Sequence, residues 1–149
     1  MTIEEMQLAP VAEQAAKLLL QKHPTIQFTS GRRDVKQQAH AMAANIVALH
    51  DRNWLGKTYL AGAKLQAWID NHPNAVTVDQ ITAGLFATMN AMPEAELLKI
   101  SRHLTGRAFD VRPVMPNGET IKQDIRALPG LQKFLDTEGG HVRWHAQFD

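Results

Sequence analysis

The stretch Ser101-Arg-His-Leu-Thr-Gly-Arg-Ala-Phe-Asp110 sets a histidine and a carboxylate seven residues apart around a glycine. His103 and Asp110 are the residue types that offer imidazole nitrogen and carboxylate oxygen to a Zn²⁺ ion. Gly106 lets the chain turn between them, because a residue without Cβ adopts backbone conformations closed to others. Ala108-Phe-Asp-Val111 then reads as a short buried strand that holds the carboxylate rigidly. A ligand carried on a strand needs a sheet around it. A catalytic zinc needs a third protein ligand and an open position for water.

The last stretch, His141-Val-Arg-Trp-His-Ala-Gln-Phe148, is the natural supplier of that ligand. It alternates with period two. As a strand it sets His141, Arg143, His145 and Gln147 on one face and Val142, Trp144, Ala146 and Phe148 on the other. Ile26-Gln-Phe-Thr29 alternates in the same way and leads into Ser30-Gly-Arg-Arg33, a turn presenting two guanidinium groups at a strand-to-helix junction. The rest reads as helix. Thr2 to about Gln21 opens on a Thr2…Glu5 capping box, and Asp34…Gln37 starts a helix to about His50. After a loop over residues 51–58, helices are expected from Tyr59 to Asn71, from Thr77 and from Pro93. Residues 113–118 read as loop. Glu119 to Asp136 reads as helix interrupted at Pro129-Gly130 and ended by Gly139-Gly140. The fold expected is α+β: a small antiparallel sheet from the segments near Ile26, Ala108 and His141, carrying the zinc site and covered by helices from the first two thirds of the chain.

Composition bounds the function classes. A chain of 149 residues is expected to fold alone as one domain over residues 1–149. Its formal charge is +1 with the basic residues scattered, whereas nucleic-acid binding needs a concentrated positive face, so no nucleic-acid partner is expected. There is no cysteine, which excludes disulfides, thiolate metal sites and a thiol nucleophile. Met-Thr-Ile-Glu-Glu-Met carries acids where a secretory signal carries bases, and no apolar run reaches membrane-spanning length. The expectation is a protein made in the cytoplasm, with no membrane partner and as a monomer, that reaches any other compartment by another route.

Ser101-x-His103-x-x-Gly106-x-Ala108-x-Asp110, preceded by Ser30-Gly-x-Arg33 and followed by a late histidine strand, resembles the zinc peptidases that cut peptidoglycan stem peptides. These are the D-Ala-D-Ala dipeptidases and carboxypeptidases and the L-alanyl-D-glutamate endopeptidases of phage endolysins, which share a fold with the Hedgehog signalling domain. The resemblance covers Ile26 to Arg33 and His103 to Phe148. It implies His103 and Asp110 as ligands of Zn²⁺ and Arg33 as the group that binds a substrate carboxylate or polarises the scissile carbonyl. It also implies the peptidoglycan stem peptide as substrate, and a phage lysis or virion protein that acts in the periplasm after release. In that family the third ligand closely follows a general base. Here two registers stand. Glu138-Gly-Gly-His141 supplies a Glu-x-x-His spacing, with Glu138 as base. His145 has the family's strand context but Val142 where the base would be. A strand interior fixes a rotamer better than a position after two glycines, which favours His145.

Plainer readings stand beside these. His103 with Asp110 can be a buried hydrogen-bonded pair, Glu138 a solvated acid in a turn, and Arg33 a solvated charge. A cation at a helix start opposes the helix dipole, so Arg33 gains nothing from that position by itself. A catalytically inactive zinc-binding or metal-free binding module on the same fold is the alternative function, and the Val142 register points to it.

Overall fold

Four antiparallel strands, β1 (Phe28–Ser30), β2 (Ala108–Val111), β3 (Leu131–Glu138) and β4 (His141–Phe148), form one sheet in the order β1-β2-β4-β3. Eight helices accompany it: α1 (Ile3–Met6), α2 (Pro10–Lys22), α3 (Val35–Leu49), α4 (Trp54–Thr58), α5 (Ala63–Asn71), α6 (Val78–Asn90), α7 (Glu94–Leu97) and α8 (Glu119–Arg126). The fold class is therefore α+β. The computed structural model describes residues 1–149, which trace two compact units, one of residues 1–32 with 105–149 and one of residues 33–104.

In the first unit one face of the sheet is apolar. Phe28, Phe109, Val111, Trp144, Ala146 and Phe148 meet Met6 of α1, Ala12, Ala15, Ala16 and Leu19 of α2, and Ile121 and Ile125 of α8. Small residues along α2 let it lie close to the sheet, while Phe109 fills the centre, with ring centroids 5.3 Å from Phe28 and 5.4 Å from Phe148. The sheet is thus covered by the first two helices and the last one. The second unit buries its own core, built from Ala39, Met42 and Ile46 of α3, Trp54 and Leu55 of α4, Leu65 and Ile69 of α5, and Ile81, Leu85 and Met89 of α6. The Asp34 and Thr77 capping boxes open α3 and α6 as their sequences require. No helix is long and apolar enough to cross a membrane.

Several expectations are corrected. The single helix expected over residues 2–21 is two, because Gln7 takes a left-handed conformation (φ 49°) and Pro10, which lacks an amide hydrogen, starts a new helix at its first turn. Residues 54–58, expected as loop, are helical, and α5 starts at Ala63 and not Tyr59. The largest correction is β3, expected as the end of a helix. Its apolar residues Leu131, Phe134 and Leu135 have helical spacing, yet the strand pairs with β4 through two register shifts, between Leu131 and Lys133 and between Leu135 and Thr137. The first shift puts an extra residue in β3 and the second puts one in β4 between Val142 and His145, and each breaks the alternation by which a strand is recognised. Gly139 and Gly140, read as a helix end, have φ of 58° and 83° and close the two-residue turn between Glu138 and His141. Positive φ at both turn positions suits a hairpin whose strands twist together. Val142 falls on the apolar side by alternation but is 53 % exposed, since the extra residue in β4 between Val142 and His145 shifts the alternation there.

Phe109→Ala removes the ring at the centre of the sheet's core while leaving its neighbours Ala108 and Asp110 in the strand. It should cost about 3–5 kcal/mol of unfolding free energy, the range for a large aromatic lost from a packed core. Urea titration followed by tryptophan fluorescence measures it.

Candidate metal centre

Asp110 and His145 are direct partners across the β2–β4 ladder, so their side chains stand on the same face of the sheet, opposite to the aromatic core. His145 Nδ1 lies 2.9 Å from Asp110 Oδ1. His103 comes from a one-turn 3-10 helix, Arg102–Thr105, that leads into β2. Two motif residues serve this turn through the backbone. Ser101 Oγ accepts from the His103 amide at 3.2 Å, and its carbonyl accepts from Leu104 N at 3.1 Å. Gly106 has φ 71°, and an added Cβ there would stand 2.7 Å from Arg32 Nη2 and 3.0 Å from Ala9 N. No L side chain fits that space and conformation without strain.

His103, Asp110 and His145 each offer one ligand atom, and these atoms lie within 4.8 Å of one another. The three residues are 3 %, 3 % and 6 % exposed. Two imidazoles and a carboxylate form a three-ligand set that leaves a position open, and tetrahedral bonds of about 2.0–2.2 Å would bring the ligand atoms roughly 3.3–3.5 Å apart. The three side chains converge closely enough that the group could hold a metal ion. Three buried titratable side chains brought to one point also need a reason, since buried charge is costly unless paired or bound to a metal.

Burial pushes the His145 imidazole down, but the hydrogen bond and charge of Asp110 push it up further, with smaller contributions from the charge of Glu138 and the hydrogen bond to Gln147, so its pKa is raised from the ordinary histidine value. Both ring nitrogens face acceptors, Asp110 Oδ1 on one side and Gln147 Oε1 at 3.0 Å on the other.

The other expected site residues lie as follows. His141 pairs with Glu138 at the hairpin tip, and it is not in the cluster. It stands four positions before His145 on β4, with a register shift between them, and it is His145 that the ladder sets opposite Asp110. Glu138 ends β3, half-buried, and its negative charge is felt at the His145 ring. Arg33 is tied to the ligand turn by its backbone: its amide donates to the His103 carbonyl at 2.9 Å. Its guanidinium Nη1 donates to Oε1 of the fully buried Gln38 at 3.3 Å, which makes it more than a solvated charge. Gln147 was visible in the sequence as a polar residue on the same strand face as His145, but nothing in its type marks a partner for the ring.

His103→Ala, Asp110→Ala and His145→Ala should each lose bound metal after dialysis, and His141→Ala should keep it, as read by elemental analysis. Gly106→Ala should weaken metal retention without touching a ligand, because the strained turn would shift His103, and it should lower stability by about 1–2 kcal/mol. No family model matches the chain, and no curated protein or solved structure matches it.

Proposed function

We propose that the protein is a zinc peptidase that cuts a peptide bond in the peptidoglycan stem peptide. The observation that carries this reading is the buried His103, Asp110 and His145 set on one face of an antiparallel sheet. Its residues fall in the Ser-x-His-x-x-Gly-x-Ala-x-Asp and late-strand pattern that resembles the stem-peptide peptidases. Zinc held by the three side chains would supply a Lewis acid for the scissile carbonyl and lower the pKa of a bound water toward neutrality.

The chain's own residues do the rest. Glu138, close enough for its charge to act on His145, takes a proton from the attacking water at its carboxylate and returns it to the leaving amine. Arg33, fixed beside His103 through its backbone, sets a positive charge where the carbonyl oxygen becomes negative. The reading places the protein with lysis or virion proteins that meet peptidoglycan outside the cytoplasm, acting as a monomer.

A second reading has its own observation. If the base must stand three residues before the strand ligand, that position is Val142, which carries no proton-transfer group. The protein would then bind metal and stem peptide without cutting it.

Purified protein loaded with zinc and incubated with peptidoglycan sacculi separates the two. Release of peptide fragments, seen by mass spectrometry, supports the peptidase. Stoichiometric zinc with intact sacculi supports the zinc-binding module, and absence of zinc sinks both and leaves the metal-free module on the same fold. Glu138→Gln should keep zinc and lose about 10²–10⁴-fold in turnover, the usual contribution of a positioned base. Arg33→Ala should also keep zinc and lose turnover by orders of magnitude. It should destabilise the fold by about 1–3 kcal/mol, because the buried Gln38 acceptor loses a donor.

A further inference from the structure

The sheet face that carries Asp110 and His145 continues to Gln147, two residues along β4 and opposite Ala108. Gln147 Oε1 lies 3.0 Å from His145 Nε2. The amide nitrogen of Gln147 donates in turn to Gln132 Oε1 on β3. A side-chain amide has one accepting end and one donating end. With its nitrogen committed to Gln132, Gln147 turns its oxygen to the histidine, so the Nε2 atom of His145 must be the donor of that bond. The other ring nitrogen, Nδ1, faces Asp110 Oδ1 at 2.9 Å. The imidazole is therefore held at both ends, and the nitrogen on the side of the metal ligands is Nδ1.

We infer that Gln147 is a positioning residue that presents Nδ1 of His145 to the metal ion, with Gln132 orienting its amide. The inference rests on the reading of His103, Asp110 and His145 as a zinc centre, and not on what that centre cuts. Histidine ligands commonly donate their second ring N–H to an acceptor that fixes tautomer and orientation, and loss of such a partner costs about 10–100-fold in metal affinity. Gln147 supplies that acceptor from the same strand as the ligand, so ring and partner move as one piece of the β2–β4 ladder. Gln132, exposed on β3, links the arrangement to the neighbouring strand.

The test compares wild type, Gln147→Leu and Gln147→Glu. Zinc affinity is measured by competition with a chromophoric chelator, the His145 ring by ¹⁵N NMR, and the fold by thermal melting of the metal-free proteins. In wild type the zinc-loaded ring should read as coordinated through Nδ1, and the metal-free ring should show a slowly exchanging Nε2 proton. Gln147→Leu should lose that protected proton and about 10–100-fold in zinc affinity. Gln147→Glu, which keeps an acceptor, should retain both. Full affinity in Gln147→Leu, equal losses in both variants, or coordination through Nε2 overturns the inference. Wild-type protein that takes up no zinc overturns it together with the metal centre. Zinc uptake with the expected variant pattern but intact sacculi removes the peptidase alone and leaves the role of Gln147 standing.

Discussion

The Asp110 carboxylate is 3 % exposed, and a carboxylate so placed either finds a positive partner or gives up its charge. The partner here is His145, set directly opposite across the ladder at 2.9 Å. Because side chains alternate along a strand, putting this pair on one face commits Phe109, Val111, Trp144 and Ala146 to the other. A slip of one residue in the β2–β4 register would send the carboxylate into the aromatic core and the rings into the polar centre. The pair and the core thus specify each other. The strong preference of the apolar face for α1, α2 and α8 is what holds two costly polar groups together on the reverse side.

How far this was legible in the sequence follows from which residues carry a period. β2 and β4 could be read because their chemistry and alternation agree: His145 and Gln147 on one side, Trp144, Ala146 and Phe148 on the other. β3 could not, since the register shift between Leu131 and Lys133 leaves Leu131, Phe134 and Leu135 at helical spacing, and only the Gly139-Gly140 pair signalled a hairpin. Pro10 was the local sign that the first helix breaks, outweighed by the long apolar pattern around it. His103 and Asp110 were legible as metal-binding types at a suitable spacing. The choice between His141 and His145 was not, because simple alternation puts both on one strand face and does not reveal the extra residue that β4 carries between them. Strand register alone separates them, putting His145 against Asp110 and His141 against Glu138 at the tip.

The short motif around Gly106 also divides by physical task. His103 and Asp110 contribute side-chain donors, while Ser101 and Gly106 contribute backbone geometry, one by accepting the His103 amide and one by taking φ 71° in a space too small for a Cβ. A spacing pattern in a sequence records both tasks without distinguishing them. Substitutions at Ser101 or Gly106 would therefore act on a bound metal through the turn, and those at His103 or Asp110 directly.

The three ligands are not equally supported. Asp110 and His145 sit on paired strands over a packed core, so their separation is set before any ion arrives. His103 is carried by a single 3-10 turn, held by Ser101, by the strained Gly106 and by the amide of Arg33 on its carbonyl. Preorganisation of ligands lowers the ordering cost of binding, so the two strand ligands form a standing half-site and the turn completes it. Arg33 takes part in both tasks, its backbone steadying the third ligand while its guanidinium, held by buried Gln38, is the charge proposed to meet the substrate. If substrate draws on that guanidinium, the same contact presses on the turn that carries His103. Substrate binding and metal retention are then coupled through one residue, with tighter zinc expected in the substrate complex than in the free protein.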